Sequence, residues 1–328
     1  MSGKTLSVGD NLAGDLWGGL AAMLVALPSS IAFGVLVYSA IGPHYAGAGA
    51  LAGMLGAATL GVVAPLVSRN GGFITAPCAP AAAVMSGLAL QLSATGNFSE
   101  GRIVTLLAIT ALISASCQFL YGVVRAGRLI KYIPYQVVSG YLSGVALIIA
   151  VSQLPKMLGL PKGMPLFQGL SAPELWNATG ISVGMATILV MVLAPRYTRK
   201  IPGAILGLLA GIATYFVMAL FNPDLLQREG NPLIIGPITA SGSLLDAVST
   251  RADSLFAITM ADFGTVFVTA LTLSVLLSID TLKTGVVLDA LSRRRHDSNR
   301  ELLGQGAANA TAFFFGGMPG AEIGRAHV

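Results

Sequence analysis

Apolar residues in this chain come in long unbroken runs separated by short polar stretches. There is neither the alternation of a half-buried strand nor the half-polar stripe of a surface helix. A helix crossing the hydrocarbon core needs roughly 20 mostly apolar residues. Such runs lie near residues 16–37, 46–67, 80–94, 103–124, 134–152, 178–195, 202–221, 263–282 and 299–315. The third is short, and a tenth, also short, is expected to begin after Pro319. The pattern predicts an all-α polytopic membrane protein of nine to ten spans with two short half-helices.

Composition strengthens this reading. Charged residues make up 10% of the chain and hydrophobic ones 54%, with mean hydropathy +0.77. Soluble domains carry roughly 25% charged residues, so these charges are too few to dress an apolar core in water. The N-terminal stretch lacks a secretory leader pattern, and Cys78 and Cys117 both fall in apolar runs, as packing thiols do.

The net charge of +5 follows from the loops and asks for no nucleic-acid partner. With the N-terminus placed in the cytoplasm, the inside loops hold twelve Lys and Arg (Lys4, Arg69, the groups at 125–131, 196–200 and 293–300) and the outside loops five. That asymmetry predicts a multi-pass protein of the cytoplasmic (inner) membrane with a cytoplasmic N-terminus, its loop charges facing the lipid bilayer's headgroups.

Glycines recur at helix-packing spacing. Gly203, Gly207 and Gly211 form one ridge, and Gly49 and Gly53 another, which lets helices approach closely in lipid. A weak internal repeat is also present. Asp15 precedes the first run, with Gly71 and Gly72 beginning 56 residues later; Asp262 precedes the eighth, with Gly316 and Gly317 beginning 54 residues later. Each pair leads into a Pro-containing stretch expected to open a short helix. Seven spans separate the copies, so they are inverted, which is the pattern of a transporter whose broken helices carry the site.

Two stretches carry chemistry. In `LTLSVLLSIDTLKTG` (271–285), Asp280 and Lys283 interrupt an apolar run. A charge at mid-membrane costs roughly 2.5–3.5 kcal/mol on insertion scales, so it faces a cavity, a partner or an ion. Asp280 and Thr284 share a helix face and make a half-site for Na⁺ or H⁺ as coupling ion. Lys283 is either a charge partner within reach of Asp280 or snorkels toward the cytoplasmic surface.

In `FITAPCAPAAAVMSG` (73–87), Pro77 and Pro80 break the helix pattern. A helix beginning near Pro80 points free N–H groups and its positive dipole end at the membrane interior, where they hold an anion. The alternative is a kinked packing helix. Other chemistry is missing from the sequence. His44, His296 and His327 are dispersed, and there is no H-E-x-x-H, Walker loop or defensible Ser/His/Asp set, so an enzyme is not expected and no cofactor beyond a coupling ion is implied.

`RRRHDSNRELLGQGAANATAFFFGGMPGA` (293–321) resembles a strongly marked stretch of the SulP family of inorganic anion transporters. `GDLWGGLAAMLVALPSSIAFG` (14–34) and `IPYQVVSGYLSGVALIIAVSQL` (133–154) look like that family's first and fifth spans. The resemblance covers 1–321 and implies a uracil-permease-like fold of seven-plus-seven inverted repeats, with a first repeat over 12–221 and an incomplete second over 262–321. It implies a small inorganic anion as cargo, a homodimer at full length, and often a C-terminal STAS domain, which is not present here. It places substrate binding at Cys78, Ala79, Pro80, Ala81, Gly320 and Ala321, and the coupling ion at Asp280 and Thr284. Two departures weaken a sodium-coupled bicarbonate reading: Cys78 stands where such carriers have threonine, and the Lys283 ammonium can stand in for sodium.

The last seven residues, `EIGRAHV` (322–328), read as a translated sequencing adapter, so the natural protein is expected to continue. The sequence therefore predicts part of a secondary active transporter of sulfate, bicarbonate or a similar anion, working by alternating access. It would be coupled to Na⁺ or H⁺ or work by exchange, and as a fragment would be inactive. The alternatives are a non-transporting membrane receptor or scaffold, an anion channel, and a nucleobase permease on the same architecture.

Overall fold

A computed structural model describes residues 12–69, 73–132, 135–160, 164, 166–198, 203–227, 231, 259–292 and 296–325. Gly71, Gly72 and His327 lie outside these, as do many of the loop lysines and arginines. Helices α1 (Leu12–Ser39), α2 (Ala46–Ser68), α3 (Ala79–Thr95) and α4 (Glu100–Val123) come first, with a strand β1 (Phe73–Pro77) between α2 and α3. Then follow α5 (Tyr135–Leu158), the one-turn α6 (Leu166–Leu170), α7 (Ala178–Tyr197) and α8 (Gly203–Phe221). The chain closes with α9 (Met260–Ser292), α10 (Ser298–Phe314) and a strand β2 (Gly320–Arg325).

Among the described residues, five helical segments are long and apolar enough to cross a bilayer: Trp17–Ser39, Ala46–Ser68, Glu100–Val123, Ala178–Tyr197 and Met260–Val286. Their outward faces are apolar, with Leu66, Val192 and Val268 exposed. A soluble fold could not leave so much such surface in water, whereas lipid solvates it. The protein is a multi-pass membrane protein.

The chain divides into two compact units, residues 1–133 with 240–328, and residues 134–239. In the first, α1 and α2 pack backbone to backbone. A side chain at Gly34 would strike the Gly49 carbonyl, and one at Gly53 would strike that of Ser30. Its core joins Val37 of α1, Ala81, Ala82 and Met85 of α3, Leu106 and Leu107 of α4, Leu273 and Leu277 of α9, and Met318 with Ala321. A second cluster, Leu60 and Ala64 against Ala308 and Ala312, seats α10 on α2. In the other unit, the predicted glycine ridge of α8 lies on α7. A β-carbon at Gly203 would sit 2.9 Å from the Met191 carbonyl, and one at Gly207 3.0 Å from that of Thr187.

One expectation is extended and one corrected. The apolar run at 263–282 forms the body of a helix that continues ten residues further to Ser292, and Asp280, Lys283 and Thr284 stand on it, in line with the helix face expected for Asp280 and Thr284. Among the described residues beyond Pro319 no helix opens. Gly320–Arg325 is a strand, antiparallel to β1. Backbone pairing satisfies the polar groups that two interrupted helices leave bare at membrane depth.

Candidate functional site

The site is assembled by a two-stranded ribbon. Pro77 pairs with Gly320, Ala76 with Ala321 and Thr75 with Glu322, with an irregularity between Ile74 and Thr75. Gly320 must be glycine, because a β-carbon there would collide with the Ala76 carbonyl. The last turn of α10 delivers the chain to this strand: Gly316, at φ 74°, takes the left-handed conformation that glycine closes helices with. The Met318 N–H then donates to the Ala52 carbonyl on α2, 2.9 Å away.

The other strand leads into α3. Cys78 is extended (φ −128°, ψ 162°) and caps the helix, and Pro80 sits in the first turn. The first intrahelical bond is Ala82 N–H to the Cys78 carbonyl, 3.0 Å, so the N–H groups of Ala79 and Ala81 precede the ladder, and Pro80 has none to offer. The Cys78 thiol is buried at this position and makes no capping hydrogen bond to the helix. Cys78, Pro80, Ala81, Gly320 and Ala321 are buried, and Ala79 is half-buried. The six predicted substrate residues thus come together, with Gly320 and Ala321 contributing from a strand and not from a helix.

α9 passes alongside. Asp280 is buried to 8% exposure, and the Lys283 ammonium donates to its Oδ1 at 3.1 Å. Of the two sequence readings of Lys283, the structure shows the internal ion pair and not snorkelling. The Thr284 hydroxyl donates to the backbone carbonyl of Glu322 at 3.2 Å, and the Thr281 hydroxyl faces the Glu322 N–H at 3.5 Å. Predicted coupling-ion residues Asp280 and Thr284 therefore border β2, each already engaged by a group of this chain. A second cation on Asp280 would stand about 4 Å from the ammonium, where two unit charges repel by about 4 kcal/mol at an effective dielectric of about 20.

The residues that hold this arrangement were not foreseen. On α10, Gln305 and Asn309 are four apart and face the ribbon. Gln305 Nε2 donates to the Thr75 hydroxyl at 3.1 Å. The Asn309 amide binds Gly320 at both its N–H (2.8 Å) and its carbonyl (3.0 Å), and also donates to Gln118 Oε1 of α4 at 2.8 Å. All three side chains are buried. The available signal was an i, i+4 pair of amides, Gln305 and Asn309, set among the small residues of `GQGAANATA`. Two further features frame the unit. Asp262, at the start of α9, accepts from the Thr259 N–H (2.8 Å), from the Thr259 hydroxyl (2.6 Å) and from Arg102 of α4. Glu322 brings a second buried carboxyl beside that of Glu301, each 1% exposed. Among the described residues no cluster of His, Cys, Asp and Glu has metal-binding geometry.

A sequence model described as the sulfate permease family matches residues 12–324. The bicarbonate transporter BicA of Picosynechococcus sp. is 30% identical over 324 residues, covering 95% of this chain and 52% of BicA. The chain thus spans about half of that relative's length. Among solved structures, the transmembrane domain of a cyanobacterial bicarbonate transporter BicA superposes with TM-score 0.73 at 29% identity, over 96% of this chain and 75% of that one. Murine Slc26a9, an anion transporter in an inward-facing state, superposes with TM-score 0.72 at 17% identity, over 96% of this chain and 52% of that one, a likeness of fold alone.

Proposed function

This chain belongs to the sulfate permease family, a family of transporters and not of enzymes, and on that footing we propose that the whole protein is a secondary carrier of a small inorganic oxyanion. The observation that carries the reading is the start of α3. Its leading N–H groups are held at a buried position by the β1–β2 ribbon, beside an internal ion pair on α9. A helix N-terminus of this kind binds anions through oriented N–H groups and dipole, without a full cationic charge that would trap the cargo.

Bicarbonate and sulfate are the substrates this reading favours, the first from the BicA likeness and the second from the family. The anion is carried by alternating access, in a homodimer of the cytoplasmic membrane with the N-terminus inside. Loop charge asymmetry supports that orientation, and family resemblance supports the dimer.

Uptake of labelled bicarbonate and of labelled sulfate by proteoliposomes containing the full-length protein tests this. Saturable uptake of one of them, with counterflow on preloading, is expected. A folded protein that moves neither anion overturns the carrier reading in favour of a receptor or scaffold. A current reversing at the anion's Nernst potential makes it a channel, and competition by uracil makes it a nucleobase permease.

A further inference from the structure

We propose that Lys283 is a tethered cation that takes the place of a coupling sodium, so that anion uptake by this protein does not depend on Na⁺. The inference rests on the carrier reading above and names which ion that carrier does without. A buried carboxylate with a hydroxyl one turn later is a cation site by its chemistry: acceptor oxygens at membrane depth, on the helix that borders the anion's strand. In this chain the cation is supplied covalently. The Lys283 Nζ stands 3.1 Å from Asp280 Oδ1, both side chains are mostly buried, and they sit one turn apart on α9. The Thr284 hydroxyl is turned to the backbone carbonyl of residue 322 and not to Asp280.

The charge balance follows. Asp280 and Lys283 together are neutral, as Asp280 with a bound Na⁺ would be, so the anion meets the same net charge in either case. The sodium would arrive and leave with each cycle, whereas the ammonium stays. A free cation added to the intact pair meets an ammonium already holding the carboxylate, and like charges at such range in a weakly screened interior oppose binding. With the ammonium removed, the Asp280 carboxylate is left as an acceptor of the kind that hard monovalent cations take, with the Thr284 hydroxyl one turn further along the same helix.

The test is uptake of labelled bicarbonate and sulfate by the full-length carrier in proteoliposomes, with external Na⁺ replaced by N-methyl-D-glucamine at fixed pH and clamped potential. The wild-type rate is expected to change by less than about twofold, and Lys283→Met to fall about tenfold without Na⁺ and to recover in its presence. Lys283→Arg, which keeps the charge, retains salt-independence in whatever uptake remains. Melting temperatures of the variants in detergent establish that they fold.

A wild-type carrier that loses about tenfold in uptake without Na⁺ overturns the proposal. So does a folded Lys283→Met that transports equally in both media, or one that stays silent in both. The wild-type comparison decides even if Lys283→Met fails to fold. Robust uptake that requires Na⁺ overturns this proposal alone, whereas no uptake in either medium overturns the carrier reading with it.

Discussion

Asn309 grips Gly320 at both of its backbone polar groups, accepting from the N–H at 2.8 Å and donating to the carbonyl at 3.0 Å. One side-chain amide thereby acts as a short third strand on the ribbon and fixes where β2 meets the start of α3. Its remaining N–H goes to Gln118, so the grip is anchored on α4. Asn309→Ala removes three bonds and strands buried partners, a loss of about 3 kcal/mol, read as a lowered melting temperature. Gln305→Ala, which removes one bond to Thr75, costs about 1 kcal/mol. Equal losses for the two would contradict the account of Asn309.

Gly320→Val is expected to cut uptake about tenfold or more, because its side chain would force Ala76 away and shift the ribbon that places α3. Rates measured with the full-length carrier, normalised to folded protein, check this. Wild-type rates would show that the strand pairing does not position the site.

Asp262 ties α9 to α4. Removing the acid leaves Arg102 without its partner and Thr259 without its acceptor, so Asp262→Ala is expected to destabilise by about 3 kcal/mol. Arg102→Ala costs less, since the two Thr259 donors still satisfy the carboxylate. Detergent melts of both variants give the ordering, and the reverse order would refute it.

Glu322 is a liability where it stands. Its carboxyl lies beside that of Glu301, each side chain 1% exposed, and two carboxylates sharing one buried place cannot both be ionised without cost. In the 328-residue chain, Glu322→Ala is expected to stabilise by about 1–3 kcal/mol. A lower melting temperature for that variant would mean the acid is favourably bound.

The sequence disclosed the spans well because bilayer burial is a local property. Runs at 46–67 and 202–221 became Ala46–Ser68 and Gly203–Phe221. The start of α3 was legible for the same reason, since Pro80 announces a first turn wherever the rest of the chain lies. Two features escaped. Asp280, Lys283 and Asp289 end the apolar run without ending the helix, because nothing there breaks it, and α9 outran its hydropathy. The ribbon pairs Pro77 with Gly320, 243 residues apart, and a pairing at that distance leaves no local trace in `GGMPGAEIG`. Lys283 lay between the two, its reach to Asp280 clear from spacing but its choice set by packing around α9.

The most direct test of an anion site at the head of α3 is protection of Cys78. In a full-length carrier whose other cysteines are replaced by serine, Cys78, 3% exposed here, is reached by a small methanethiosulfonate only when the site opens. With transported anion at about ten times its half-saturating concentration, the modification rate is predicted to fall about tenfold, as expected if reagent and anion compete for one place. An unchanged rate, in protein that still transports, would mean that the anion binds elsewhere.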